Sequence, residues 1–592
     1  MDEMKIRNFG YGLLVLILGV CLLGWQGVPL NRAALAHPFW TLCVVGLAIV
    51  GMRFRAHLGR GLDWICEMPR WRFNAGVFAI GLLIYAAVAW FVFSGIPRID
   101  DGVASLFQAR LFAAGKCTQP LPPDPDFFQV FAVLGAKEGL DHRCGMYPPG
   151  WPLLLTPGVW LGVPWLVNPL LGALLLVVMA ELGRSFYGDR TGRVAALLAL
   201  PSPFLLVLSG VHLSNMATIV FLGLAVLSLR KLWKTYRWMW GGVTGLCWGV
   251  AFLCRPVDAV VVGAICALGF FFPAKRLWRC RLGIVAGLAV ALVAVGVMLG
   301  FQQITTGDWQ TPGHELGMGS YGKFGFVQLT PRKAHTLEAG LTFTMMRLRA
   351  LNESLLGWPI PSLLVVLIPF ILGRARVKEF LLLLPMIGLL GTFVFFWYYE
   401  ACLPARYISA AAPYLFILSA RGLQDLHEVA SRRRALSGIP AFLVISGVLF
   451  LAVGLPFHFQ AYGDDYYDVE EVLPRVVRDY GITNALVFMD SVGIDNRKMD
   501  DTNDYYATGF LRNDLELTND VLFVRNLKER NVELVRNHPD RAAYLYRYQR
   551  LIERAVLYRM VLEEGELKLF PVKPKTRDLV EAPESIVRGV AN

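Results

Sequence analysis

The chain reads as a polytopic all-α membrane protein of about 13 transmembrane helices with a small C-terminal extracytoplasmic α/β domain. Three observations predict this. Of 592 residues, 55% are hydrophobic and only 17% charged, with a mean hydropathy of +0.49, which excludes an ordinary soluble enzyme. Apolar runs of about 17 to 22 residues, the length that crosses hydrocarbon, recur from Tyr11 to Phe457. After Tyr462 the composition turns mixed and charged.

The formal charge of +12 does not point to nucleic acid. The cations sit in short clusters between apolar runs, such as Arg230-Lys231-Leu-Trp-Lys234, Lys275-Arg276-Leu-Trp-Arg279-Cys-Arg281 and Arg432-Arg433-Arg434. That is the positive-inside pattern of a cytoplasmic membrane surface. At the start, Lys5 and Arg7 precede an apolar core and Ala34-Leu-Ala36, a signal-peptidase-like site lying too far beyond the core, so the first helix is read as uncleaved.

Flanking Lys and Arg orient spans at 11–26, 38–52, 73–93, 166–183, 194–209, 213–229, 241–254, 256–272, 282–301, 361–372, 380–397, 404–420 and 439–457, with the N-terminus inside. The chain thus divides into N-terminal helices (1–95), a first outer loop (96–165), central helices (166–301), a second outer loop (302–360), C-terminal helices (361–457) and an outer domain (458–592). The apolar stretch 151–161 is too short to span and is laid on the outer surface, where its aromatic and proline content belongs. In the outer domain, 469–480 and 532–537 read as helices and 485–489, 521–524, 542–548 and 567–572 as strands.

Ten cysteines form no Cys-x-x-Cys pair, and most fall in apolar helices, where Cys behaves as a small buried residue. Cys117 and Cys144 share the first outer loop in an oxidising compartment, so a disulfide between them is expected, leaving Cys402 unpaired.

Asp100 and Asp101 open that loop where the third helix leaves the membrane. Adjacent carboxylates there either cap the next helix or face an aqueous cleft as a site. The same side gathers Tyr147-Pro-Pro-Gly-Trp-Pro152, His212 with Ser214 and Asn215, Arg255-Pro256 and Arg406. A guanidinium at a helix end either snorkels to the interface or receives a lipid phosphate on its planar fork. His212 reads either as a structural histidine or as a ligand. Asp100, Asp101 and His212 could in principle hold Mg²⁺ or Mn²⁺, but the His212 turn offers no carboxylate, and a divalent cation is disfavoured.

Taken together, Asp100-Asp101, Gln108-Ala-Arg110, Gly115, Tyr147-Pro-Pro-Gly-Trp-Pro152, Asn168-Pro, Pro203-Phe204, Thr306-Gly307-Asp308, Gly357-Trp358-Pro359 and Ala405-Arg406-Tyr407 resemble the GT-C superfamily. These are multi-spanning glycosyltransferases that use polyprenyl-phosphate sugars. The protein O-mannosyltransferase, aminoarabinose transferase and rhizobial lipopolysaccharide sugar transferase branches are the most similar. The resemblance implies that Asp100 is the catalytic base, with Asp101 where the family usually has Glu. The acidic second-loop motif of the oligosaccharyltransferase relatives has no match at 212–215, which argues against their metal mechanism.

The residue types then specify chemistry. A carboxylate removes the acceptor's hydroxyl proton as that oxygen attacks the anomeric carbon, and Arg255 and Arg406 meet the charge on the departing lipid phosphate. Tyr147, His212 and Asn215 are the further substrate-binding candidates. The expected function is an inverting glycosyltransferase of a bacterial cytoplasmic membrane. Its expected partners are a polyprenyl-phosphate sugar, an extracytoplasmic acceptor that is a lipid, polysaccharide or protein, and membrane lipids. The alternatives are a transporter or lipid flippase of envelope biogenesis, and a non-catalytic scaffold. Transporters favour charges near the midplane and two similar halves, and neither is visible in this sequence.

Overall fold

The computed structural model describes residues 55–268, 274–358, 360–398, 403, 405–432, 444–445, 447–448, 451–452, 454–456, 459, 462, 469–490, 506–549 and 554–581. The spans read at 11–26 and 38–52, most of 439–457, and Cys402 lie outside the described residues. The chain forms two compact units. One comprises Met1–Gly95, Trp165–Leu299 and Ser320–Gln460, and the other Ile96–Pro164, Gly300–Gly319 and Ala461–Asn592.

The first unit is helical apart from one short hairpin among its described residues. Across the described residues, four helices are long and apolar enough to cross a bilayer: Arg70–Phe91, Pro164–Tyr187, Asn215–Thr235 and Leu277–Thr306. They fall on the spans read at 73–93, 166–183, 213–229 and 282–301. The span read at 194–209 is a pair of helices, Asp189–Ala199 and Pro203–Gly210, bent by 67°. The physical reason is Leu-Pro-Ser-Pro at 200–203. Two prolines remove backbone donors, and Ser202 starts the second helix by accepting from the Leu205 N–H at 3.4 Å. Trp238–Cys254, Pro256–Leu268, Ser362–Ile371 and Val377–Phe393 are shorter apolar helices. Within the stretch read as a second outer loop, Leu337–Ser354 is an 18-residue helix capped by Thr336.

The second unit is built around a five-stranded sheet. Its interior strand Ala485–Asp490 runs parallel to the edge strand Val521–Arg525 on one side and to the central strand Ala542–Gln549 on the other. Arg554–Glu563 and Glu566–Pro571 continue it as an antiparallel meander. The helices Val472–Asp479 and Asn531–Asn537 lie where the sequence predicts them. Arg554–Glu563, not anticipated from the sequence, is the fifth strand; residues 555–558 are consecutively buried and so show no alternation.

The segments read separately as first outer loop and C-terminal domain share one core here. Alternate residues of the Ala485–Asp490 strand explain how. Ala485, Val487 and Met489 pack with Val103, Phe107, Leu134 and Met146, while Leu486 and Phe488 pack with Phe127 and Phe128. Buried on both faces, the strand is written as a continuous apolar run.

Candidate functional site

Among the described residues the candidate side chains fall into two groups, one in each unit.

In the second unit, Asp100–Ala113 is a helix whose N-cap is Ile99, in extended conformation, with Asp100 and Asp101 both in the first turn. The carboxylates therefore meet the positive end of the helix dipole without either being the cap residue. Asp100 is 8% exposed and Asp101 half-buried. The Tyr147 hydroxyl donates to Asp101 Oδ1 at 2.5 Å, and Ser105 Oγ donates back to the Asp101 carbonyl at 2.7 Å. Just before the helix, buried Arg98 donates to the Val469 carbonyl at 3.2 Å and pairs with Glu471, tying the acidic start to the segment entering the sheet.

The rest of this helix is locked by one glutamine and one glycine. Gln108 donates to the Cys117 carbonyl and accepts from the Gly145 N–H, both at 2.9 Å. A Cβ on Gly145 would come within 2.9 Å of the Ala104 carbonyl, so only glycine lets the His142–Gly145 strand lie this close to the helix.

Cys117 and Cys144 are free thiols, which corrects the expected disulfide. Cys144 instead points its thiol at the Thr305 carbonyl, 3.6 Å away, and burial pushes that thiol up to about 12.

In the first unit the candidates converge on Tyr407. The Cζ atoms of Arg255, Arg347 and Arg406 lie 5.5, 5.7 and 5.3 Å from the Tyr407 ring centroid. Each approach is within the range of cation–π attraction. Sequence explains how each arrives. Arg255 precedes Pro256, which forces it out of helical conformation, and it ends Trp238–Cys254 with φ −147°. Its Nε donates to Asp258 Oδ2 at 3.0 Å, the carboxylate being buried. Arg406 begins a 3-10 turn behind Ala405, whose φ of +70° is a left-handed conformation costly for a residue with a Cβ. Asn215 fixes that turn, donating to the Arg406 carbonyl at 2.8 Å and to Ser409 Oγ at 3.0 Å.

Arg347 was not among the sequence candidates. It is 1% exposed and donates to the carbonyls of Phe393 at 2.8 Å and Tyr398 at 2.7 Å. The available signal was a guanidinium in the apolar run Phe-Thr-Met-Met-Arg347-Leu, masked by its assignment to a loop. His212 is buried in the turn after Pro203–Gly210, and that burial lowers its pKa to about 4. The turn is pinned by Asn168, whose Nδ2 donates to the Val211 carbonyl and, at 3.0 Å, to that of Leu213. Among the described residues no three His, Cys, Asp or Glu side chains gather as a metal-holding group.

Comparison with known proteins places these groups in context. Residues 163–301, which include Asn168, His212, Asn215 and Arg255, match the family model described as dolichyl-phosphate-mannose-protein mannosyltransferase. No curated protein sequence matches the chain. Among solved structures, ArnT from Cupriavidus metallidurans in the apo state is similar at 15% identity and a TM-score of 0.44, over 79% of this chain and 92% of that one. The oligosaccharyltransferase of Archaeoglobus fulgidus in the apo form matches at 13% identity and a TM-score of 0.40, over 66% of this chain and 56% of that one. The mycobacterial arabinofuranosyltransferase AftD matches at 13% identity and a TM-score of 0.42, over 81% of this chain and 37% of that one.

Proposed function

We propose that the chain is a GT-C-type membrane glycosyltransferase that transfers a sugar from a polyprenyl-phosphate donor to an extracytoplasmic acceptor, with inversion, a reading supported by the family-model match over residues 163–301. The observation that carries the reading is the cluster of three guanidiniums around Tyr407, of which Arg255 pairs with the buried Asp258 carboxylate. Guanidiniums gathered in an apolar helical unit suit a lipid phosphate, and their attraction strengthens most when the leaving phosphate gains negative charge.

In this reading Asp100 Oδ takes the proton from the acceptor hydroxyl. The acceptor oxygen forms its bond to the anomeric carbon from the face opposite the phosphate, and the bond to the phosphate oxygen breaks with its electron pair leaving on the lipid phosphate. Asp101, held by Tyr147, orients the acceptor or Asp100. Tyr147 then positions a carboxylate, and Asn215 positions Arg406 through its backbone. Arg255 and Arg406 contact the phosphate, and Arg347 contributes the third charge. The positive-inside pattern supports a cytoplasmic-membrane protein with its catalytic carboxylates on the outer side.

The test is donor saturation with purified protein in vesicles, using a radiolabelled polyprenyl-phosphate sugar. Arg406→Gln should raise the donor KM and lower kcat together, by a combined factor of roughly 10 to 150 if a charged hydrogen bond of about 1.5–3 kcal/mol is lost. An unchanged donor KM and kcat in folded Arg406→Gln removes the phosphate role.

A further inference from the structure

A cavity of about 380 Å³ lies inside the first unit, walled by the helices Asn215–Thr235, Trp238–Cys254, Pro256–Leu268 and Ala274–Thr306. It exists because two of these helices cross at glycines. A Cβ on Gly241 would fall 1.8 Å from the Gly283 carbonyl, and one on Gly245 would fall 2.1 Å from that of Gly287. The paired Gly-x-x-x-Gly faces bring the backbones together and leave the space beside them to small side chains such as Ala225 and Ala291.

The walls are apolar, and their few polar atoms are already engaged. Thr244 Oγ1 donates to the Trp240 carbonyl at 2.7 Å, and Trp248 Nε1 to that of Ala259 at 2.8 Å. Nothing in such a lining favours water or a polar ligand, and the volume exceeds twice the ~150 Å³ cavity that takes up benzene. Hydrocarbon fits it.

One end of the cavity is formed by Leu232 and Gly283. Here the two chain segments meet, Cys280 Sγ lying 4.0 Å from the Leu232 carbonyl. Around this end Lys231, Lys234, Arg237, Arg279 and Arg281 are exposed, and neither 228–240 nor 277–284 contains a carboxylate. Three of these cations rest on aromatic rings. Lys231 Nζ lies 4.1 Å from the Trp240 ring, Arg281 Cζ 4.1 Å from Trp278, and Arg279 Cζ 5.6 Å from Tyr236. Aromatic rings paired with cations mark the headgroup level of a membrane, where basic pockets between helices recognise anionic headgroups.

We infer that this cavity and its basic rim form a binding site for an anionic phospholipid, one acyl chain entering between the helices and the headgroup phosphate resting on Lys231, Arg279 and Arg281. The site rests on the reading of these helices as membrane spans. It is separate from the Tyr407 cluster and from the sugar-transfer chemistry proposed above.

The experiment is native mass spectrometry of the full chain released from nanodiscs, comparing phosphatidylglycerol with phosphatidylcholine of the same acyl chains. Wild type should retain the anionic lipid with a preference of about tenfold or more. The surface variant K231Q/R279Q/R281Q should lose that preference, and Ala225→Phe, which fills the cavity, should lower retention of both lipids. Val262→Leu, a smaller filling change, serves if Ala225→Phe does not fold. Equal retention of the two lipids by wild type, or an unaltered preference in the triple variant, overturns the inference. So does complete displacement of phosphatidylglycerol by equimolar polyprenyl phosphate, which would make the cavity a donor-chain site.

Discussion

Replacing Phe107 with alanine tests whether the helix that begins with the acidic pair and the C-terminal sheet are one folding unit. Phe107 is 4% exposed, its ring centroid is 5.3 Å from that of Phe510, and the Arg143 guanidinium carbon lies 5.7 Å above it. It belongs to the core that also holds Val487 and Met489 of the Ala485–Asp490 strand. Truncating a buried Phe costs about 3–5 kcal/mol through lost transfer energy and the remaining cavity. At 1.4 kcal/mol per tenfold, that is roughly two to three and a half powers of ten in the opening equilibrium. Hydrogen-exchange mass spectrometry should therefore show protection falling by a common factor in peptides from the Asp100–Ala113 helix and from the Ala485–Asp490 and Ala542–Gln549 strands. Sugar transfer should fall with it, because the same helix carries Asp100. Loss of protection in the helix peptides alone, with the strand peptides unchanged, would show that helix and sheet open as separate units and refute the shared core.

Two further outcomes follow from burial. Cys144, buried with its thiol pushed up to about 12, should resist maleimide at pH 7–8 in the folded protein, while half-exposed Cys117 should react; equal labelling rates, or a linked peptide in a non-reducing map, would contradict the free-thiol arrangement. His212, lowered to about 4 from an ordinary value near 6.5, binds fewer protons folded than unfolded between those values, so it makes stability rise with pH across that window and fall as pH drops through it. His212→Asn should flatten this part of a thermal-stability profile, and an unaltered slope would show that His212 titrates normally.

Much of the architecture is written locally and was legible. The span read at 73–93 and the strand read at 485–489 each carry a length and an apolar pattern that one element explains, and both lie where expected. What was not legible depends on partners far along the chain. Arg98 meets Glu471, 373 residues on, and no local pattern announces that the first loop and the C-terminal sheet share a core. Arg554–Glu563 escaped notice because a strand covered on both faces shows no alternation. For the candidate site, Asp100, Asp101, Arg255 and Arg406 stood out as charges beside apolar runs. Arg347 did not, since its importance lies in reaching Tyr407 from a helix in a stretch read as a loop. The Cys117–Cys144 disulfide was expected from compartment and composition, which do not reveal that Cys144 buries its thiol against the Thr305 carbonyl.

The proposed sugar transfer depends most on Asp100 as the base. Its direct test is mass spectrometry of envelope lipids and glycans from cells expressing wild type or Asp100→Asn at matched levels of folded protein. Loss of one sugar from one glycan in the variant, with transfer reduced by about 10²–10⁴, is the predicted result and would identify the acceptor. Identical profiles, in cells where deleting the protein has a phenotype, would contradict catalysis by this carboxylate.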